Sequence, residues 1–345
     1  MSPAPLLALD ERGLACAAGG FHVDPWKPAP RAVLTHAHAD HTRPGSGAYL
    51  CAAPGVELVR RRVHPDAVVQ GVPYGEVVTL GQARVSFHPA GHVLGSAQVR
   101  VEVGGEVWVV TGDYKLDRDP TCAPFESVPC HTLITESTFG LPIYRWDPPE
   151  RTVAEVAEWW RACQAESRTA VLLVYALGKS QRVLAGLREA GVDLGPIAAH
   201  GAVRNFVELY RELGCELPAV LGGGAEHAPD VKGRGLVLAP PSAAGTPFLR
   251  KYGKASLALA SGWMRVRGNR RRRALDRGFV LSDHADWPSL LQAVEASGAE
   301  RVLVTHGFQN TLVRHLRDRG LQAERLDTQF GQEEAEERAA QEVEA

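Results

Sequence analysis

The run Thr35-His36-Ala37-His38-Ala39-Asp40-His41 sets four metal-binding side chains within six consecutive residues, a combination rare by chance. In extended backbone, side chains two apart point the same way, so His36 and His38 can close on one ion. The chain must then turn, which lets Asp40 and His41 face a second ion a few ångströms away. Imidazole nitrogens and a carboxylate suit zinc or a similar first-row divalent metal, at roughly 2.0–2.2 Å per bond. The apolar run Arg31-Ala-Val-Leu-Thr35 just upstream reads as a buried strand, which puts the motif at a strand's C-terminal end.

Three further candidates stand at strand ends. His92, in Pro89-Ala-Gly-His92-Val-Leu-Gly-Ser96, follows a short strand and sits among glycines that permit close backbone approach. Asp113 closes the second strand of a hairpin, in which Ala97–Val103 alternates, Gly104-Gly105 turns and Glu106–Thr111 returns. His306, in Val304-Thr-His306-Gly307, ends another buried strand. Taken alone, each reads equally well as a hydrogen-bonded loop residue. Together with the first run they complete two ligand sets: His36, His38 and His92 for one ion, Asp40, His41 and His306 for the other, and Asp113 between them.

The length of 345 residues allows about two domains with a substantial core. The N-terminal residues lack a basic segment leading into an apolar one, and no apolar run approaches the ~18 residues that span a bilayer. The six cysteines fall without CxxC spacing, as expected of reduced structural thiols in a cytoplasmic protein. The net charge of −2 looks wrong for a nucleic-acid partner until it is divided: beyond Gly331, six glutamates against Arg338 give −5, which leaves the body at +3. That tail reads as a solvated helix or a disordered end with no catalytic part.

From Leu6 to about Glu136 the pattern is mostly strands and short turns. From Asp147 to about Leu259 helix and strand alternate: Pro148-Pro149 opens a helix, Ala170–Tyr175 is a buried strand, Gly178 begins a helix through Glu189, and Leu236–Ala239 is another strand. Strand and helix resume from Gly278 to Leu326.

The run at His36–His41, with Gly91-His92, Gly112-Asp113 and Asp24, resembles the metallo-β-lactamase superfamily. Glu136-Ser137-Thr138-Phe139-Gly140, Ser282-Asp283-His284-Ala285-Asp286 and Val304-Thr305-His306-Gly307 resemble motifs A, B and C of its β-CASP nucleases. The segments Phe87–Gln98, Val107–Lys115 and Thr138–Trp146 are similar to those of bacterial DNA-ligase-associated exonucleases. The resemblance implies an α/β fold: an αββα sandwich built from 1–140 and 271–330, an α/β cap inserted at 141–270, and the acidic tail 331–345 outside both. It implies two divalent ions, zinc first and manganese second. The implied activity is a DNA exonuclease, 5′→3′ on single strands, used in repair with a ligase and helicase. Motif C departs from the eukaryotic DNA-repair members, which carry valine there; His306 is what RNA-processing members carry, so an RNA substrate stays open. An inactive nucleic-acid-binding scaffold would have lost ligands, and none is missing.

In this chemistry a water held between the two ions, which Asp40 and Asp113 would help to bind, would ionise near neutral pH. His284 is the candidate general acid for the leaving 3′ oxygen, since an imidazole pKa of about 6.5 suits that role. Glu136 would hold its other ring nitrogen, and Asp24 would orient a ligand histidine from behind. Two regions are expected to hold the strand. Lys179, Ser180 and Arg182 follow Gly178 where a strand turns into a helix, a place that favours phosphate. Arg265, Arg267, Arg270, Arg271, Arg272 and Arg273 precede motif B and would border a cleft between cap and core. Trp263 suits a core position better than base stacking.

Overall fold

The structure, a computed structural model, describes residues 5–266 and 275–329. Arg267, Arg270, Arg271, Arg272, Arg273 and the acidic tail therefore lie outside the described residues. The chain divides into two compact units, one formed by the residues up to Leu116, Cys122–Arg145 and the chain from His284, the other by Asp117–Thr121 and Trp146–Asp283.

The first unit opens with six short strands, β1 (Ala8–Leu9), β2 (Leu14–Cys16), β3 (Phe21–Val23), β4 (Ala32–Val33), β5 (Tyr49–Ala52) and β6 (Val69–Val72), paired in chain order as one sheet. Helix α1 (Val56–Val63) interrupts them, in a stretch expected to be mostly strands and short turns. Its signal is present in the sequence: Val56, Val59 and Val63 recur at helical spacing. Five strands of a second sheet follow: β7 (Val77–Leu80), β8 (Ala83–Pro89), β9 (Ala97–Val103), β10 (Glu106–Val110) and β11 (Thr132–Thr135). The β9–β10 hairpin turns through Gly104 and Gly105, at φ 59° and 90°, the pair of positive angles that a two-residue turn of this hand requires.

The second unit holds a parallel sheet of β12 (Thr169–Leu173), β13 (Ile197–Ala199), β14 (Leu221–Gly222), β15 (Leu236–Ala239), β16 (Ala255–Ala260) and β17 (Arg277–Phe279), in the order β14-β13-β15-β12-β16-β17. Helix α2 (Pro149–Ala165) precedes the first of these strands, and α3 (Lys179–Glu189), α4 (Gly201–Glu212), α5 (Ala228–Val231) and α6 (Pro247–Arg250) lie between them in sequence. Every residue of β12 and β15 is buried, as expected of parallel strands covered on both faces.

The chain then returns to the first unit with α7 (Trp287–Ser297), β18 (Arg301–Val304), α8 (Gln309–Asp318) and β19 (Gln322–Arg325), completing a seven-stranded sheet in the order β19-β18-β11-β10-β9-β8-β7. Alternation along β10 sends Trp108 and Val110 into the core between the two sheets, with Phe21, Val33, Phe87 and Ile134. Val109 points the other way, with Leu133, Val302 and Val304, under Leu290 and Val294 of α7 and Leu312 and Leu316 of α8. Each such buried side chain contributes roughly 1.5–3 kcal/mol relative to exposure.

This topology decides where the chemistry collects. Strands β10, β11 and β18 run parallel, and β8 and β10 both run antiparallel to β9, so all four end at one edge. Among the described residues no disulfide joins the cysteines, and no helix is long and apolar enough to cross a membrane.

Candidate metal centre

Each ligand loop is shaped by a neighbour that sequence spacing does not reveal. β4 ends at Val33 because the Thr35 amide donates to Asp24 Oδ1 at 2.8 Å instead of to a strand. The Thr35 hydroxyl donates to Asp24 Oδ2 at 2.5 Å and accepts from His36 Nδ1 at 3.0 Å. His41 Nδ1 donates to the same Asp24 Oδ2 at 2.8 Å. One buried carboxylate thus fixes two imidazoles through Nδ1 and turns both Nε2 atoms toward the centre. Gly112, at φ 56°, lets the end of β10 lie against this support, since a Cβ there would come 2.5 Å from Thr35 Cβ.

The His92 loop is held differently. Lys115, only 1% exposed, donates from Nζ to the carbonyls of Gly91 at 2.5 Å and His92 at 2.7 Å. Sequence reasoning assigned Lys115 no role, and its one signal was a lysine directly after the Gly112-Asp113-Tyr114 strand end. Ser137 ties the loops after β11 and β18 together, donating to the carbonyls of Thr305 and His306.

The candidate ligands converge within the first unit. His92 Nε2 lies 3.0 Å from His38 Nδ1, and Asp113 Oδ2 lies 3.5 Å from His36 Nε2 and 3.7 Å from His92 Nε2. On the other side, His41 Nε2 is 3.5 Å from Asp113 Oδ2 and 3.6 Å from Asp40 Oδ2, and His306 Nε2 is 3.4 Å from Asp113 Oδ1. Two donors on one tetrahedral ion with bonds of about 2.0–2.1 Å sit about 3.3 Å apart, which is the scale of these separations. His36 Nε2 is buried and makes no hydrogen bond, a costly state unless something else takes it up. The residues therefore fit a divalent cation. One group of mutually close ligand atoms comprises His36, His38, His92 and Asp113, and another Asp113, Glu136 and His306.

Electrostatics favour the binding-competent forms. Burial, reinforced by neighbouring histidines, pushes His36 and His92 well below the usual histidine range, toward neutral imidazole. Burial alone would raise Asp113, but His41 and His284 outweigh it and hold its carboxyl well below the usual range. His41 is the exception. Burial opposes its charge, yet Asp113, Asp40 and Asp24 carry it up to about 10.

Beside this cluster His284 Nδ1 lies 3.0 Å from Glu136 Oε2 and 4.0 Å from Asp113 Oδ2. Glu136 is buried, and its Oε1 also accepts the Tyr114 amide at 2.8 Å. The carboxylate is thus fixed from one side and holds the imidazole from the other. Its place in the second ligand group makes Glu136 available to an ion as well, which the sequence did not suggest.

The expectation for Lys179, Ser180 and Arg182 is corrected. All three are buried in the second unit, not presented to a phosphate. Lys179 Nζ lies 3.6 Å from Asp283 Oδ2, Arg182 Nη1 lies 3.5 Å from Asp283 Oδ1 and donates to the Ser282 carbonyl, and Ser180 donates to the Ala176 carbonyl at 2.9 Å. Arg182 Nε is also 3.8 Å from Asp119 Oδ2. Two buried carboxylates need two cations, and α3 supplies them from one face. The start of α3 is closed from within, because Gln181 Oε1 accepts the Gly178 amide at 2.7 Å. Arg265 is exposed and pairs with Asp147 at 3.5 Å, and Trp263 is buried as expected.

No model of a known protein family matches the chain. It is 33% identical over 306 residues to a protein of Opitutus terrae named "Probable DNA ligase", a match covering 88% of this chain and 29% of that protein. It is 30% identical over 123 residues to "Endoribonuclease YSH1" of Eremothecium gossypii, covering 35% of this chain and 16% of that protein. The protein of that name in Saccharomyces cerevisiae is 28% identical over 123 residues, with the same coverage. The chain thus spans 29% of the length of the first of these relatives and 16% of the other two. The mixed α/β architecture is that of a metallo-β-lactamase-type fold.

Proposed function

We propose that the chain is a metal-dependent nuclease of the β-CASP type, and within that class a DNA exonuclease acting 5′→3′ on single strands in repair. Its partners in this reading are single-stranded DNA and, functionally, a ligase and a helicase, in the cytoplasm. The observation that carries the proposal is the pair of ligand groups sharing Asp113, with the His284–Glu136 pair alongside. The match across 88% of the chain to a protein named as a DNA ligase supports the DNA side.

His36, His38, His92 and Asp113 would hold one divalent ion, and Asp40, His41, His306 and Asp113 a second, zinc first and manganese as the alternative. When bound, such ions supply positive charge to a phosphate and acidify a water. The chain's own groups do the rest. Asp24 and Thr35 keep the Nε2 atoms of His36 and His41 aimed inward, and Lys115 holds the His92 loop. Glu136, bound at Nδ1 of His284, keeps that ring charged and oriented, so that Nε2 can give a proton to the departing 3′ oxygen, a contribution of roughly 10²–10⁴-fold.

The RNA-processing reading also has support. His306 stands at motif C, and shorter matches carry the name endoribonuclease. One experiment separates the two: single-stranded DNA and RNA of one sequence, tagged at the 5′ or 3′ end, incubated with zinc or manganese, with Asp113→Ala as the blank. Mononucleotides released from 5′-tagged DNA fit the proposal, internal cuts in RNA fit the alternative, and cleavage of neither by the intact protein refutes both.

A further inference from the structure

Next to the ligand His306 the surface of the first unit is concave. Gly307, Phe308 and Arg325 line a hollow of about 290 Å³, and Arg325 is shared with a second of about 420 Å³ walled by Arg314 and Arg317. The two adjoin, since Asn310 and Arg325 line both, and Gly307 of the first directly follows His306 in the chain. Three arginines line the two hollows, Asp318 is the one carboxylate in their lining, and Asp327 pairs with Arg325, which leaves a net positive charge of one. Arg314 and Arg317 stand three residues apart on one face of α8, and both are exposed. Arg317 is anchored by one bond, from Nε to the Ala323 carbonyl at 2.7 Å, whereas Arg325 donates to Gln309 at 2.8 Å and pairs with the Asp327 carboxylate at 2.8 Å, a contact that a phosphate would have to share. At the metal end Phe308 is half-buried and stacks on buried Tyr144, with ring centroids 5.9 Å apart and planes 30° apart.

An aromatic face followed by a row of cations is how proteins hold single-stranded nucleic acid without reading its sequence: a base stacks and the phosphates track the charge. From Phe308 to Arg317 the helix advances about 14 Å, several of the ~3.4 Å steps of a stacked strand. We propose that this groove carries the single strand to the metal centre, with a base stacked on Phe308 and successive phosphates at Arg325, Arg317 and Arg314. The inference rests on the nuclease reading and gives it a substrate path that replaces the one expected at Lys179 and Arg182.

The test measures anisotropy of a labelled phosphorothioate-linked oligothymidylate, which resists cutting, across a range of salt. Replacing Arg314 and Arg317 with serine should lower the slope of log K against log salt by about 1.4, and Arg314→Ser alone by about 0.7. Phe308→Leu should weaken binding about five- to a hundred-fold and leave the slope alone. Arg31→Ser, exposed at the opposite end of β4, serves as the control and should change neither. An unchanged slope in both arginine variants, or an equal change in the control, overturns the groove and makes it a solvated face or a seat for an acidic protein. Failure of the unaltered protein to bind any oligonucleotide overturns the nuclease reading as well.

Discussion

Asp24→Asn isolates the support beneath the metal centre, because it removes a charge and leaves the shape. Asp24 is 1% exposed and accepts three hydrogen bonds, from the Thr35 amide at 2.8 Å, the Thr35 hydroxyl at 2.5 Å and His41 Nδ1 at 2.8 Å. Asparagine has one acceptor oxygen, so its NH₂ must face a donor whichever way the amide sits. If the nitrogen replaces Oδ2, the threonine hydroxyl can rotate away, but His41 must surrender its Nδ1 proton. That proton then sits on Nε2, the atom 3.5 Å from Asp113, and blocks it as a ligand. If the amide is flipped, its nitrogen faces the Thr35 backbone N–H, which cannot change. The backbone itself adds nothing, since asparagine tolerates the φ of 42° at this position as well as aspartate does. A lost hydrogen bond to a buried charge costs about 1.5–3 kcal/mol. Expressed at the ion, loss of such a support weakens binding about 10- to 100-fold. Calorimetric titration with zinc should show that loss at the site using His41 and a much smaller one at the site using His38 and His92. Two sites of undiminished affinity in Asp24→Asn would refute the argument.

Ion-free protein should be most stable near pH 6.5. His41, raised to about 10 in the fold, contributes stability that is present below its ordinary value of 6.5 and lost as pH climbs from there to about 10. His36 and His92, held neutral, subtract stability as pH falls below that value; urea midpoints across pH should trace this dome, and a bound ion should flatten it. Lys179→Met should cost about 3–5 kcal/mol in urea unfolding, because it leaves Asp283 buried with one cation fewer, whereas a surface lysine would cost under about 0.5 kcal/mol. His284→Ala should keep its metal by elemental analysis and lose the chemical step, and a substrate with sulfur in place of the 3′ oxygen should recover much of the rate. Equal losses on both substrates would exclude a proton donor at His284.

The parts legible in the sequence are those that depend on local pattern. The β9–β10 hairpin follows from alternation and two glycines, and the candidate ligands His36, His38, His92, Asp113 and His306, whose side chains the fold brings close together, from polar residues at the ends of apolar runs. The supports were not legible, because their partners lie far along the chain. Lys115 acts on carbonyls 23 and 24 residues away, and Arg182 donates to a carbonyl 100 residues away. A lysine or arginine near the start of a helix is read as exposed because most are. Only the fold reveals that α3 turns two of them onto Asp283 and Asp119. Helix α1 is hard to read for a different reason: it is only eight residues long and stands between strands, so its helical spacing covers only about two turns.

A set of candidate ligands read from the sequence does not say what brings them together. His36, His38, Asp40 and His41 follow β4, a strand of the first sheet, whereas His92, Asp113 and His306 follow β8, β10 and β18 of the second. Every ligand group that includes one of the first four is therefore completed across the sandwich and not along one sheet. Val33 and Phe21 of the first sheet share one core with Val101 and Trp108 of the second, and the packing of that core sets the spacing across which His36 and His41 reach Asp113. Core packing and ion binding are consequently one equilibrium: a cavity opened between the sheets relaxes the ligand geometry, and an ion held across the gap opposes their separation.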